Sequence, residues 1–353
     1  MASNERQTFK AENIFAALSH LGICGEAPCL DGEFRGGQCH VFKVNVRDAA
    51  SLAVRVPLYM DNAGGRDAKI EALQTELRNL QALEAKGFPW SPRCRGQSLT
   101  FDNAVEHPFL VLSWFDGAQL SWSEDSPPRP VRDRVLGQMA SIQLALIECT
   151  LENGSTATAY FERLAGNRRT RVEEGRIPGL SLQDCADQRA LLDAVLGADR
   201  DDTALAMDHG DFKPENVIID AEYNIQGYTI TDWAFAAPTP IPRAAGLPRF
   251  LWPSSLVSAP SLAVQRDREA YVASFAAQSS PAASYMRRWQ AARDMDFCTL
   301  YLESLFSKGM HFRLARAGWG LRYRELAVKR DTRRLGNAPE KENRWVTETS
   351  SEG

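Results

Sequence analysis

Near residue 210 the chain places a cluster of polar, chemically capable side chains at the ends of two short apolar runs, 217–219 and 228–231. Short β-branched runs of this kind form strands, and the polar stretch through Tyr223 and Asn224 turns the chain between them. Such a pair holds the groups at its ends rigidly side by side. Asp211, Lys213 and Asn216 stand at one end and Asp232 at the other. The amide oxygen of Asn216 with the carboxylate of Asp232 makes a hard-oxygen pair. That pair suits Mg²⁺, which takes one or two carboxylates together with substrate phosphates and water. Asp211 then stands free to accept a hydroxyl proton. Lys213, on the same side of an extended chain, is placed to neutralise a phosphoryl group in transfer.

The rest of the chain divides around a change of character. Residues 13–21 have helical apolar spacing, and the stretch from Asp31 to Gln38 reads as a glycine-bearing turn. The runs 40–46 and 52–57 predict an antiparallel hairpin, with Phe42, Val44 and Val46 on one face. Residues 68–86 predict an amphipathic helix carrying Ile70, Leu73, Leu77, Leu80 and Leu83, closed by Gly87 and Pro89. A short apolar strand at 108–112 runs into Ser113-Trp114-Phe115-Asp116-Gly117. Beyond it helices dominate, at 130–149, 181–197, 261–278 and 283–307, interrupted by 206–236. The fold class is α+β: a small β-rich part with one helix, a connector, and a larger, mainly helical part.

His209-Gly210-Asp211-Phe212-Lys213-Pro214-Glu215-Asn216 resembles the catalytic loop of eukaryotic-type kinases. With Ile230-Thr231-Asp232-Trp233 it resembles the aminoglycoside phosphotransferase (choline kinase-like) family, in particular its fungal branch. The resemblance runs over residues 30–310 and implies a protein kinase-like, two-lobed fold. Its limits are a flexible N-terminus at 1–12, a nucleotide-binding N-lobe at 13–112, a hinge at 113–118, a C-lobe at 119–330 and a charged flexible tail at 331–353. It implies ATP- and Mg²⁺-dependent phosphorylation of a small-molecule hydroxyl. Asp211 would be the base, Lys213 the catalytic cation, and Asn216 and Asp232 the metal ligands. Gly36, Gly37, Arg55, Glu76, Ser113 and Phe115 would hold the nucleotide. One position departs from the pattern: Arg55 stands where the family has a lysine, and a planar, bulkier fork is not equivalent to an ammonium. Lys43, on the neighbouring strand, is a second candidate for that cation.

Each residue also has a plainer reading. Asp211 would cap a turn, Asn216 and Asp232 would make local Asx bonds, Arg55 would snorkel at a strand edge, and Glu76 would lie on a polar helix face. His209 reads as structural, packed beneath the loop, and Glu215 as a pairing residue. Arg55 and the irregular glycine spacing leave a non-catalytic nucleotide-binding pseudokinase or scaffold as the alternative from another class. A protein kinase fits less well, because no Asp-Phe-Gly follows Thr231. Ala338-Pro339-Glu340 lies too far downstream to close an activation segment. Neither His-Glu-x-x-His nor Gly-x-Ser-x-Gly occurs, so zinc and serine hydrolase chemistry have no support.

Composition narrows the partners. Forty-one basic against 45 acidic residues give a net charge of −4, so nothing favours nucleic acid. No run approaches the ~18 apolar residues of a membrane span, and the polar N-terminus has no secretory core. Seven scattered cysteines without Cys-x-x-Cys suggest free thiols and a cytoplasmic location. Asp116, Glu124 and Asp125 near the connector are candidates to meet a cationic acceptor, and Trp114, Trp122, Trp252 and Trp289 to stack on one. Acceptor identity and oligomeric state do not follow from the sequence.

Overall fold

The structure is a computed structural model that describes residues 8–23, 28–36, 39–47, 50–58, 65–252, 260–291 and 295–319. The chain opens with α1 (Ala11–His20), then β1 (Cys29–Arg35), β2 (Cys39–Asn45), β3 (Leu52–Pro57), α2 (Gly65–Ala85), β4 (Cys94–Ser98) and β5 (Phe109–Ser113). The five strands form one antiparallel sheet in the order β1-β2-β3-β5-β4. The segment from Asp31 is therefore a strand rather than a turn: β1 pairs with β2 from Cys29↔Asn45 to Arg35↔His40. Its exposed residues do not alternate in polarity, because an edge strand buries little on either face.

The central strand β3 is buried on both faces, and its two-residue period decides what each side does. Val54 and Val56 share a face with Phe42, Val44 and Val111, and α1 covers it with Ile14, Ala17 and Leu18. Ala53 and Arg55 point to the opposite face, where α2 lays down Leu73, Leu77, Leu80 and Leu83. That second core continues without a break into the larger lobe.

The larger lobe contains β6 (Ala118–Gln119), α3 (Arg129–Thr150), β7 (Glu152–Asn153), α4 (Ala157–Glu173), α5 (Leu182–Leu196), β8 (Ala204–Asp208), β9 (Ile218–Ile219), β10 (Ala237–Pro240), α6 (Ile241–Ala244), α7 (Leu262–Ala276), α8 (Pro281–Gln290), α9 (Met295–Phe306) and α10 (Lys308–Arg316). α3 runs through its centre against β8, α7 and α8, burying Met139, Ile142, Leu146 and Ile147. A third core joins α4, α5, α9 and α10 around Phe161, Leu191, Tyr301 and Leu314.

Two expectations change here. The helix expected over 283–307 is two, α8 and α9, with α8 capped at Ala291 by bonds to Arg287 and Trp289 carbonyls. The helix α4 is absent from the sequence reading, because its exposed face is dense in arginine and its apolar residues are sparse. The expected tail at 331–353 lies outside the described residues. No helix of the described residues is long and apolar enough to cross a membrane. The six described cysteines are free thiols.

Candidate active site

The loop after β8 is built from the backbone outward. Gly210 takes φ +78°, and a Cβ there would lie 2.4 Å from the Phe235 carbonyl oxygen, so this close turn requires glycine. His209 is buried against Trp233, with ring centroids 4.5 Å apart. Burial lowers its pKa and keeps the ring neutral. Nδ1 then accepts from the Asp211 N–H (3.3 Å), and Nε2–H donates to the Thr231 carbonyl (3.0 Å). His209 thus ties the loop to the segment carrying Asp232, the structural role its position suggested.

Asn216 donates through Nδ2 to the Asp211 carbonyl (2.8 Å) and to Asp211 Oδ2 (3.2 Å). Those bonds orient the amide and leave its oxygen for another ligand. The two apolar runs meet less regularly than a strand pair: Val217 and Ile230 make a single bridge, flanked by Ile218 N–H to Thr229 O (2.9 Å) and Thr231 N–H to Asn216 O (2.9 Å). β9 takes β6 as its strand partner instead. Asp232 follows with φ +64° and ψ +59°, a left-handed conformation that costs a non-glycine residue energy. The Trp233 indole N–H to Ile230 O (2.8 Å) and the buried ring hold it there.

Asp211 is not free. Lys213 Nζ lies 2.7 Å from Oδ2 and Arg249 Nη1 lies 3.3 Å from Oδ1. Burial works to raise the Asp211 pKa, but these two cations outweigh it and hold the carboxyl below its usual value, so it is ionised at neutral pH. Lys213 is likewise engaged with Asp211 rather than reaching into open space.

The small lobe contributes Arg55, 8% exposed, whose fork joins two carboxylates. One arm bonds Glu76 of α2 and the other bonds Asp232 Oδ1 at 2.9 Å. Burial opposes its charge, yet Glu76 and Asp232 raise its pKa further and keep it cationic. A lysine in this place would hold one such partner well; the planar guanidinium holds both. Lys43 takes no part, since Asp31 (2.7 Å) and Asp116 (2.6 Å) hold its ammonium beside the Trp114 ring. Asp116 is consequently spent on Lys43 and the Trp114 indole N–H (2.9 Å).

Of the other nucleotide candidates, Gly36 donates its N–H to the Cys39 carbonyl (2.9 Å), while Gly37 lies outside the described residues. Ser113 uses its hydroxyl to accept the Arg93 N–H (2.9 Å). Phe115 is half-buried beside Gly117, where a Cβ would lie 2.5 Å from the Ile219 carbonyl. Glu215 exposes its side chain and works through its backbone, its carbonyl accepting from Gln119 (2.5 Å).

Three residues escaped the sequence reading. Arg249 continues from Asp211 to Glu303 Oε1 (3.0 Å), Arg243 bonds Glu303 Oε2 (2.7 Å), and Arg243 also bonds Asp208 Oδ2 (2.8 Å). Glu303 had a signal: it is the one charged residue of the apolar stretch 297–306, the mark of a buried pair. Arg243 and Arg249 had none, lying among prolines and glycine in 240–249.

A small antiparallel sheet over a helical lobe, with Arg55–Glu76 facing Asp211, Asn216 and Asp232, defines the class of two-lobed, protein kinase-like folds. The phosphotransferase enzyme family model matches residues 34–241, and the chain belongs to that family. Solved structures agree in fold. The streptomycin–ATP ternary complex of APH(2'')-IIa has a TM-score of 0.53 at 12% identity over 85% of this chain and 91% of that one. A choline kinase from Cryptosporidium parvum has 0.51 at 11% identity over 94% and 98%. No curated protein matches the sequence.

Proposed function

We propose that the protein is an ATP- and Mg²⁺-dependent kinase of a small-molecule hydroxyl. The observation that carries this is the contact of the buried Arg55–Glu76 pair with Asp232, beside the loop in which Asn216 bonds Asp211. Asn216 and Asp232 fit Mg²⁺ by donor chemistry: both offer hard oxygens. Among the described residues no cluster of three or more His, Cys, Asp or Glu forms a protein-only cage, as suits an ion that completes its shell with phosphate and water. Magnesium held by Asn216 and Asp232 would supply positive charge to neutralise the phosphates.

The chain's own residues do the rest. Arg55, held by Glu76 and Asp232, presents a cation to the phosphates. The Asn216 bond fixes Asp211, which orients the acceptor hydroxyl and takes its proton. The acceptor oxygen forms a bond to the γ-phosphorus, and the bond to the β–γ bridging oxygen breaks with its electron pair leaving on ADP. Lys213 and Arg249, beside the reacting oxygens, balance the charge. The likeness in fold to a streptomycin–ATP complex of an aminoglycoside phosphotransferase supports ATP as donor and a small molecule as acceptor.

The test is ADP release from ATP·Mg²⁺ across a panel of acceptors. Asp211→Asn should lower kcat by about 10²–10⁴ while ADP binding by calorimetry persists. An Asp211→Asn enzyme with full turnover would exclude this role. Nucleotide binding without turnover on any acceptor would favour the pseudokinase alternative.

A further inference from the structure

Behind the catalytic loop lies a pocket whose walls include Asp208, His209, Arg243, Arg249, Trp289 and Thr299. It adjoins Asp211 through Arg249, so, on the reading of Asp211 as base, it is where an acceptor would sit. Asp208 lines it, and Asp211 and Glu303 are joined to its wall through Arg249; each of these three carboxylates already bonds at least one of Arg243, Arg249 and Lys213. A polycationic acceptor would therefore find no uncommitted carboxylate here.

What the pocket does offer is donors. The Trp289 indole N–H and the Thr299 hydroxyl have no hydrogen-bond partner among the described residues, and both residues are over nine-tenths buried at 4% and 7% exposure. Indole nitrogen can only donate, and a buried donor left unpaired costs about 1–3 kcal/mol. A Cβ added at Gly246 would lie 3.8 Å from that nitrogen, in ordinary contact, so glycine leaves it uncovered by a side chain. Arg249 is the exposed member of the cluster, with 46% of its side chain accessible and its guanidinium 5.5 Å from the Trp252 ring.

We propose that this pocket binds a hydroxy-carboxylate as the phosphate acceptor, its carboxylate taken by Arg249 and by the Trp289 and Thr299 donors. A carboxylate matches the planar guanidinium fork and can take the place of Asp211 on Nη1. Withdrawing Arg249 frees Asp211 Oδ1, the oxygen it now occupies, for the acceptor hydroxyl. Acceptor binding and release of the base are then one event. Because a single guanidinium spans both positions, the carboxylate and the reacting hydroxyl must be near neighbours on a short carbon chain.

The proposal is tested on the full chain with ADP·Mg²⁺ present. Calorimetry is run with 2- and 3-hydroxy carboxylates and sugar acids, D-glycerate and D-gluconate among them, against glycerol, choline and kanamycin. At least one carboxylate should bind where glycerol and the two cations do not. Arg249→Gln should weaken it tenfold or more, and Thr299→Val several-fold, with ADP affinity unaltered. Kanamycin or choline binding more tightly than every carboxylate would overturn the proposal. So would the absence of any carboxylate binding, or carboxylate affinity unchanged in both variants. Carboxylate binding lost in Arg249→Gln but without phosphate transfer would uphold the pocket's assignment and refute the kinase reading.

Discussion

Arg55 shows how one substitution of type redistributes a site. It stands in the position that resembles the family's lysine, but its fork spans Glu76 and Asp232, linking α2 of the small lobe to the loop of the large one. The pair is nearly dry, with Glu76 at 2% exposure. Removing one partner of such a pair leaves an uncompensated buried charge, which costs about 3–5 kcal/mol. Arg55→Met should lose that much stability in urea unfolding and should lose ADP·Mg²⁺ binding as well. Arg55→Lys keeps the charge toward Glu76 and forgoes the second arm, so it should fall between wild type and Arg55→Met on both measurements. The residue types of this site were legible, because Asp211, Asn216 and Asp232 are spaced by a short loop and two apolar runs. Their partners were not. Lys213 on Asp211 is a local contact, but Arg249 lies 38 residues further on, and only the packing of α6 and α9 brings it back.

At the scale of elements, α3 and α7 are joined by charge as well as by apolar contact. Asp267, 1% exposed on α7, receives a two-point bond from Arg132 of α3 (2.7 and 2.6 Å) and a third from Arg129 (2.7 Å). Arg132 in turn lies 4.0 Å from the centre of the Trp122 ring, which packs edge-on to Phe250 beside Arg249. Asp267→Ala strands the buried Arg132 guanidinium in the interior and takes one partner from the more exposed Arg129. We expect a loss of about 3–5 kcal/mol, seen as a lower urea midpoint at unchanged slope. Periodicity marked α1, α2, α3, α5 and α7, because each has an apolar stripe against a core. It missed β1 at an edge, where burial is slight, and α4, whose outer face is mostly charged. It also ran α8 and α9 together, since both are apolar enough to read as one helix.

For the molecule as a whole, acid sensitivity follows from histidines that the fold keeps neutral. Burial lowers the pKa of His209, and burial with the nearby Arg168 lowers that of His311 to about 4. The unfolded chain binds protons at these sites near pH 6.5, so unfolding takes up protons below that value and stability falls as pH drops. The His311 share of this loss runs from about 6.5 to about 4 and then stops. Thermal midpoints should be flat above pH 7 and decline through this window, and His311→Gln should flatten the decline. A midpoint that rises on acidification would contradict the assignment. His311 gives no such warning in sequence, where it is one polar residue near the end of the chain. The sequence by itself determined the two-part layout, the sheet-then-helix order and the identity of the loop residues, because strand and helix periods and short loops are local properties. Only the tertiary structure decided which charges meet: the fork of Arg55, the Arg249–Glu303–Arg243 chain and the donor-rich pocket beside Asp211. Each joins residues far apart in the chain, and such pairings are set by how helices pack, which no local pattern encodes.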